Sequence, residues 1–151
     1  MSPSAPADFL PPVEAAEPDD EKVVRRSDPQ ALYGCLCDRC DLQERDPVLP
    51  ELRRDALLTV IAEAPGRQEE REGRPLIGPS GQELMRAVEV CGFGRHHLSL
   101  DNIILCKIKN KSFDVYQRRL ARNNARRVLN GLPPLLNPVE ACRPHLEHTL
   151  A

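Results

Sequence analysis

The sequence ALLTVIA at residues 56–62, followed directly by EAPG at residues 63–66, decides the fold of this chain. The first stretch is a short, continuous apolar run that contains β-branched residues, and the Pro-Gly pair after it ends the run sharply. This pattern is typical of a buried strand in a parallel sheet. It therefore places residues 56–62 in the sheet of an α/β fold.

A helix and a second strand are predicted after this strand. Residues 80–83 (SGQE) have the spacing of a capping box, and apolar residues then share one helical face until Gly92 ends the helix. Residues 98–106 (LSLDNIILC) fit a second strand. The order strand, helix, strand predicts a right-handed βαβ unit, in which ligands bind beyond the carboxyl ends of the strands. We therefore expect functional residues within 62–78 and 102–112.

Composition limits the chain to one domain. Its 151 residues are 40% hydrophobic and 3% aromatic, which is enough for one modest core. No apolar run approaches the roughly 18 residues of a membrane span, and residues 1–10 lack a secretory signal, so we expect a soluble, cytoplasmic protein. Residues 1–30 hold seven acidic residues, three basic residues and six prolines. This predicts a disordered acidic tail before a folded domain at 31–151.

A basic segment follows the second predicted strand. Residues 107–127 contain eight Lys or Arg residues and a single acid, and Gly131 then ends the run, so we predict an amphipathic helix. Its apolar positions at helical spacing are Leu120, Ala121, Ala125, Val128 and Leu132. The segment is either a solvated surface helix or a contact for nucleic-acid phosphates. The candidate phosphate-binding residues are Lys107, Lys109, Lys111, Arg118, Arg119 and Arg122.

The six cysteines predict a metal centre rather than disulfides, because no secretory signal precedes them. Cys37 and Cys40 form a Cys-x2-Cys pair in a polar stretch, where two thiolates can converge on one centre. Cys106 and Cys142 follow as single residues, an arrangement that leaves both an iron-sulfur cluster and a zinc site open. Of the other two cysteines, Cys91 is interpreted as a core residue. Cys35 is interpreted as a bystander or as a substitute ligand for Cys37.

Several short motifs occur along the chain in one order. They are Cys37-x2-Cys40 with Leu42, Ala62-Glu63-Ala64-Pro65-Gly66, Glu69-Glu70, Gly73-Arg74-Pro75-Leu76-Ile77-Gly78, Gly81, Asp101-Asn102, Cys106 and Glu140-Ala141-Cys142-Arg143-Pro144. Each motif alone is weak, but the ordered set, over about residues 34–147, resembles the family 4 (iron-sulfur) uracil-DNA glycosylases. The resemblance implies a three-layer αβα fold with a parallel sheet of the uracil-DNA glycosylase type. It also implies a [4Fe-4S] cluster held by Cys37, Cys40, Cys106 and Cys142.

The resemblance further implies that the chain excises uracil from DNA after swinging the nucleotide out of the stack. Glu63 would act on the sugar or on an attacking water, and Asn102 would recognise the amide edge of uracil, since its side chain both donates and accepts. The residues that would contact the base are Ala62, Ala64, Pro65, Gly66, Leu76 and Asn102. From the residues alone, Glu63 could instead fix the turn, and Asn102 could cap the strand end.

The chain also departs from the family pattern. Leu76 stands where the family has a stacking Phe, and Ala62 where it has Gly. The longer gap between Cys106 and Cys142 predicts a basic insertion at about 107–136. The family's His-Pro-Ser segment has no match, so we expect a sheet truncated after the second strand and the helices that follow. The alternative function is therefore a catalytically inactive, cluster-stabilised DNA-binding remnant, and a zinc-bound structural module is a third interpretation.

Overall fold

The structure, a computed structural model, describes residues 28–109 and 112–151. Most of the tail predicted for residues 1–30, and the candidate phosphate ligand Lys111, therefore lie outside the described residues. The first helix, α1 (Pro29–Tyr33), begins just inside the range predicted as tail. The Asp28 side chain caps this helix by accepting a hydrogen bond from the Gln30 N–H at 2.9 Å.

Two parallel strands form the sheet, as the sequence predicts. They are β1 (Leu58–Ala62) and β2 (Leu98–Asn102), and their register places Ala62 opposite Asn102, so both strands end at one edge. Both are shorter than predicted. The second strand ends at Asn102 instead of Cys106, because the chain bends there and the next apolar side chains enter a separate hydrophobic cluster.

Helices cover both faces of the sheet. The short α2 (Arg67–Glu72) follows β1, and α3 (Pro79–Val90) then packs its apolar side chains against Leu98 and Leu100 of β2. Successive strand residues point to opposite faces, and the intervening Asp101 contacts the last helix, α5 (Pro138–Leu150). The order helix, sheet, helix agrees with the predicted three-layer α/β architecture.

The structure corrects two expectations about α3. The helix begins at Pro79 with Gly78 as its N-cap, not at the predicted capping box of residues 80–83, because proline is favoured in the first turn. Cys91, which we expected in the core, is exposed. It follows the last helical residue, and Gly92, with φ of 79°, turns the chain at this point.

The basic segment does form a helix, α4 (Phe113–Leu129), but it buries a different face from the one predicted. Tyr116 and Leu120 enter the hydrophobic cluster beside Leu42. The other predicted apolar positions are exposed: Ala121, Ala125, Val128 and Leu132. The helix α5 begins at Pro138 with Asn137 as its N-cap, a start that the pair Asn137-Pro138 indicates. None of the described helices is long and apolar enough to cross a membrane.

Candidate functional site

Four cysteines line a cavity of about 160 Å³. Three parts of the chain supply them: the 3-10 turn at Cys37–Arg39 with the residue after it, the segment after β2, and α5. They are the four predicted ligands, Cys37, Cys40, Cys106 and Cys142. The structure therefore brings together thiols that are separated by more than one hundred positions in the sequence.

Burial and mutual proximity favour the protonated form of three of these thiols in the absence of a metal. Burial first, and then the neighbouring thiol groups, raise the pKa of Cys37 and of Cys106 to about 12. Burial also raises the pKa of Cys40 to about 11, although the Leu42 N–H opposes the rise by donating to the Cys40 Sγ at 3.4 Å. Metals bind thiolates, so a metal centre here must displace these protons and supply compensating positive charge.

The cavity is a candidate metal centre, because four thiols can ligate either an iron-sulfur cluster or a zinc ion. Within 28–109 and 112–151, no three His, Cys, Asp or Glu side chains are close enough to ligate one ion.

The remaining two cysteines do not line this cavity. Cys35 is fully buried in the hydrophobic cluster that contains Cys40 and Cys142. Its position is that of a core residue beside the site, which agrees with its interpretation as a bystander. Cys91 lies on the surface after α3.

A cleft of about 270 Å³ lies at the carboxyl ends of the two strands. Every residue predicted to contact or act on the base or the sugar lines it: Ala62, Glu63, Ala64, Pro65, Gly66, Leu76 and Asn102. Glu69, Gly78, Pro79 and Ser80 complete the wall. The parallel register explains this convergence, because the loop after β1 and the end of β2 emerge at the same edge of the sheet.

Asn102 presents an unpartnered polar group in this cleft. The residue is only 1% exposed, and its side-chain Nδ2 has no hydrogen-bond partner among the described residues. An unsatisfied buried donor costs about 1–3 kcal/mol, so it needs a compensating contact or a functional reason. Glu63 borders the same cleft but is exposed to solvent.

Glu69 joins the two loops of the cleft, and the sequence analysis gave it no role. It is 7% exposed. Its Oε2 accepts from the Gly66 N–H at 3.1 Å, and its Oε1 accepts from the N–H groups of Ile77 at 3.0 Å and Gly78 at 2.6 Å. One carboxylate therefore fixes the loop after β1 to the loop before α3. Its spacing from Gly66, three residues at the start of α2, is the sequence signal that could have identified it.

Leu76 has a left-handed backbone with φ of 54°, a conformation that usually requires glycine. Arg95 supports it by donating to the carbonyls of Leu76, at 3.0 Å, and Pro75. Gly81 supports it as well, since a Cβ at that position would lie 2.0 Å from the Leu76 carbonyl oxygen. The apolar wall of the cleft is therefore fixed by its surroundings, although the backbone conformation itself is unfavourable.

A buried ion pair adjoins Asn102 on the side of α5. Asp101 Oδ1 and His145 Nε2 are 3.4 Å apart, and both side chains are fully buried. Burial alone would lower the pKa of His145, but interactions with the side chains of Asp101, Cys142 and Cys35, together with the Asp101 charge, raise it. Thr149 on α5 donates to Asp101 Oδ2 at 2.8 Å, which satisfies the second carboxylate oxygen.

The helix α4 presents three of the six predicted phosphate ligands to solvent. The exposed ones on this helix are Arg118, Arg119 and Arg122. Arg118 forms an ion pair with Asp114 one turn earlier. Before the helix, Lys107 is half-buried, while the exposed Lys109 donates to the Asp41 carbonyl at 3.3 Å. The arginines are therefore accessible to a large anion, and the lysines lie next to the cysteine-bearing segment.

A comparison with known families identifies the class of protein that has this sheet and strand-end cleft. Residues 49–151 match the Uracil DNA glycosylase superfamily, which is more than half of the chain. The chain belongs to this superfamily. The match confirms the resemblance that the ordered motifs indicate.

The individual relatives that the chain matches are type-4 uracil-DNA glycosylases. The chain is 30% identical over 117 residues to the type-4 uracil-DNA glycosylase of Saccharolobus solfataricus, which covers 76% of this chain and 50% of the relative. It is 29% identical over 123 residues to the type-4 glycosylase of Pyrobaculum aerophilum, covering 79% and 53%. That of Thermotoga maritima is 28% identical over 81 residues, covering 54% and 42%. The chain thus spans about half the length of the curated relatives that it matches.

Proposed function

We propose that this chain binds uracil swung out of DNA and cleaves the bond between the base and deoxyribose. The observation that supports the proposal is the strand-end cleft, where the buried Asn102 amide nitrogen lacks a partner. The amide edge of uracil offers an N–H and a carbonyl side by side, which one Asn side chain can pair with at two atoms. Leu76 adds an apolar wall against the base, without the π face of an aromatic ring.

Different residues of the cleft stabilise the two opposite charges that develop during cleavage. Breaking the glycosidic bond puts negative charge on uracil and positive charge on the sugar. We assign Glu63 to the sugar side, where its exposed carboxylate stabilises positive charge or accepts a proton from water. The Gly66 N–H is already used in a hydrogen bond, so backbone donation to a uracil carbonyl falls to Glu63 and Ala64. Asn102 orients the base and donates to it.

We assign a [4Fe-4S] cluster to the cysteine-lined cavity, with Cys37, Cys40, Cys106 and Cys142 as its ligands. A bound cluster supplies a structural cross-link between three segments that are far apart in sequence. The cavity is also lined by Arg45, which forms an ion pair with Glu70 at 3.0 Å. The names of the type-4 relatives support this assignment at the level of the family.

Uracil-containing DNA is the proposed partner, and the basic segment is its proposed phosphate contact. The assigned residues are Lys107, Lys109, Lys111, Arg118, Arg119 and Arg122. Phosphate contacts of this kind position the nucleic acid but carry no information about the base. The cytoplasmic location remains a prediction from the sequence.

A catalytically inactive DNA-binding protein is the second candidate. One observation favours it, because none of the described residues that line the cleft is a histidine. The resemblance assigns stabilisation of the uracil anion to a histidine. We therefore expect excision by this chain to be slow.

Release of uracil from a single-stranded oligonucleotide, measured with the full chain, tests the proposal. Glu63→Ala and Asn102→Ala should each reduce the rate about tenfold or more. Glu72→Ala, an exposed neighbour outside the cleft, should leave it unchanged. Binding without release would support the inactive alternative. Turnover that is insensitive to both cleft substitutions would refute the assigned roles.

A further inference from the structure

Two buried side chains hold the backbone of Asn102 from both sides. The Asn102 N–H donates to Asp101 Oδ1 at 2.7 Å, and the Asn102 carbonyl oxygen lies 2.9 Å from His145 Nε2. Asp101 and His145 also contact each other, and neither side chain has any exposed area. Both backbone polar groups of Asn102 are therefore fixed, while its side-chain nitrogen has no partner within the described part of the chain.

The same imidazole reaches the cysteine-lined cavity. His145 Nδ1 bonds the carbonyl of Cys142, which lies one turn earlier on α5. Cys142 lines the cavity and Asn102 lines the cleft, so one ring joins a backbone carbonyl of each site.

The placement of Asp101 leaves the Asn102 side chain free. Successive residues of a strand point to opposite faces of the sheet. The Asp101 carboxylate accordingly faces α5, where Thr149 donates to it at 2.8 Å, while Asn102 lines the cleft. The polar network thus orders the residue without competing for the amide that a base would contact.

We propose that Asp101 and His145 are positioning residues that set the orientation of the Asn102 amide, so that the cleft distinguishes uracil from cytosine. The inference rests on the proposed function for its ligand. At this edge uracil presents an N–H and a carbonyl, whereas cytosine presents a ring nitrogen acceptor and an amino donor. An Asn102 amide held in one orientation pairs with the N–H and carbonyl of uracil, and it places like groups opposite each other when the base is cytosine. A displaced amide binds the two bases with more similar affinity.

The test compares dissociation constants of the full chain for two single-stranded oligonucleotides that differ only in one uracil or cytosine. His145→Gln removes the ring that contacts both backbone carbonyls, and Asp101→Asn removes the carboxylate. Ser99→Ala is the matched control, since it removes the hydroxyl of a buried β2 residue that accepts from the Arg53 N–H at 2.9 Å and donates to the Arg53 carbonyl at 3.4 Å, without touching Asn102. We expect the cytosine-to-uracil ratio of dissociation constants to fall about tenfold in both test variants and to stay unchanged in the control.

An unchanged ratio in both test variants, with the iron content retained, would overturn the inference. If either variant does not fold, Thr149→Val replaces it, because it removes only the hydrogen bond to Asp101; the expected fall is then about threefold. No preference for uracil in the unmodified chain would refute the proposed function instead. Backbone amide exchange would then decide the positioning role: faster exchange at Asn102 in His145→Gln, but not in Ser99→Ala, would support it, and equal exchange would refute it.

Discussion

Replacing Glu69 tests whether one carboxylate holds the two loops of the cleft together. In the native chain the N–H groups of Ile77 and Gly78 donate to Glu69 Oε1. In Glu69→Gln the side-chain amide oxygen can still accept these two hydrogen bonds. The amide NH₂ would then face the Gly66 N–H in place of Oε2, so two donors would meet. Glu69→Ala removes the acceptor of all three N–H groups.

The expected magnitude follows from these bonds. A hydrogen bond to a charged acceptor contributes about 1.5–3 kcal/mol, and an unsatisfied buried N–H costs about 1–3 kcal/mol. One lost bond predicts that Glu69→Gln lowers the free energy of unfolding by about 2 kcal/mol. Three lost bonds in one network do not add fully, so we expect about 4 kcal/mol for Glu69→Ala.

Urea unfolding at neutral pH measures this difference, with the iron content of each variant checked before the experiment. Glu72→Gln is the matched control, because Glu72 belongs to the same short helix but is exposed, and among the described residues it pairs with its neighbour Arg71. We expect the control to stay within about 0.5 kcal/mol of the unmodified chain. If Glu69→Gln were as stable as Glu72→Gln, the carboxylate would not hold the loops, and the geometry assigned to the cleft would be wrong.

Three further predictions address other parts of the molecule. Gly81→Ala should cost about 3 kcal/mol, because its Cβ would meet the Leu76 carbonyl, while Ser80→Ala at an exposed position should change little in the same unfolding assay. After iron is removed by chelation, stability should fall as pH rises from about 8.5 towards 11, since the folded state with raised thiol pKa values binds more protons than the unfolded state. The iron-loaded protein, whose thiolates are already deprotonated, should lack this fall, and equal slopes would contradict the four-thiol site. Charge reversal at Arg118, Arg119 and Arg122 should reduce the salt slope of DNA binding by about 2, whatever the DNA sequence. Reversal at the exposed Arg71 and Arg86 should not change the slope, and an unchanged slope in the α4 variant would favour a solvated helix.

The elements that the sequence predicts well are those with local signals. The apolar run of β1 and its Pro-Gly ending, and the Asn-Pro start of α5, depend on neighbouring residues alone. Parallel strand order then brings the predicted cleft residues to one edge without any further information. The end of β2 was predicted wrongly because residues 103–106 are as apolar as the strand, and their burial in a second cluster leaves the same pattern.

The contacts that the sequence does not predict are long-range or involve packing choices. Asp101 meets His145 across 44 positions, and nothing in either local segment indicates a partner. Tyr116, whose hydroxyl donates to Asp41 at 3.2 Å, determines which face of α4 is buried. The opposite face of the helix carries more aliphatic residues but stays exposed. An aromatic ring with a polar end gains both burial and a hydrogen bond on the buried face, which the alanines cannot.

The cleft and the cavity depend on each other through α5. A two-stranded sheet has little stability of its own, and here β2 is held on its outer edge by Glu51, whose N–H and carbonyl pair with Leu100 at 2.9 Å. On the face towards α5 it is held by Asp101 and His145. A cross-link that closes a loop of about 100 residues removes about 4–5 kcal/mol of unfolded-state entropy in the simplest model. Because Cys142 lies one turn from His145, removing iron should speed amide exchange in β2 as well as around the cysteines; unchanged exchange in β2 would show that α5 is fixed without the cluster.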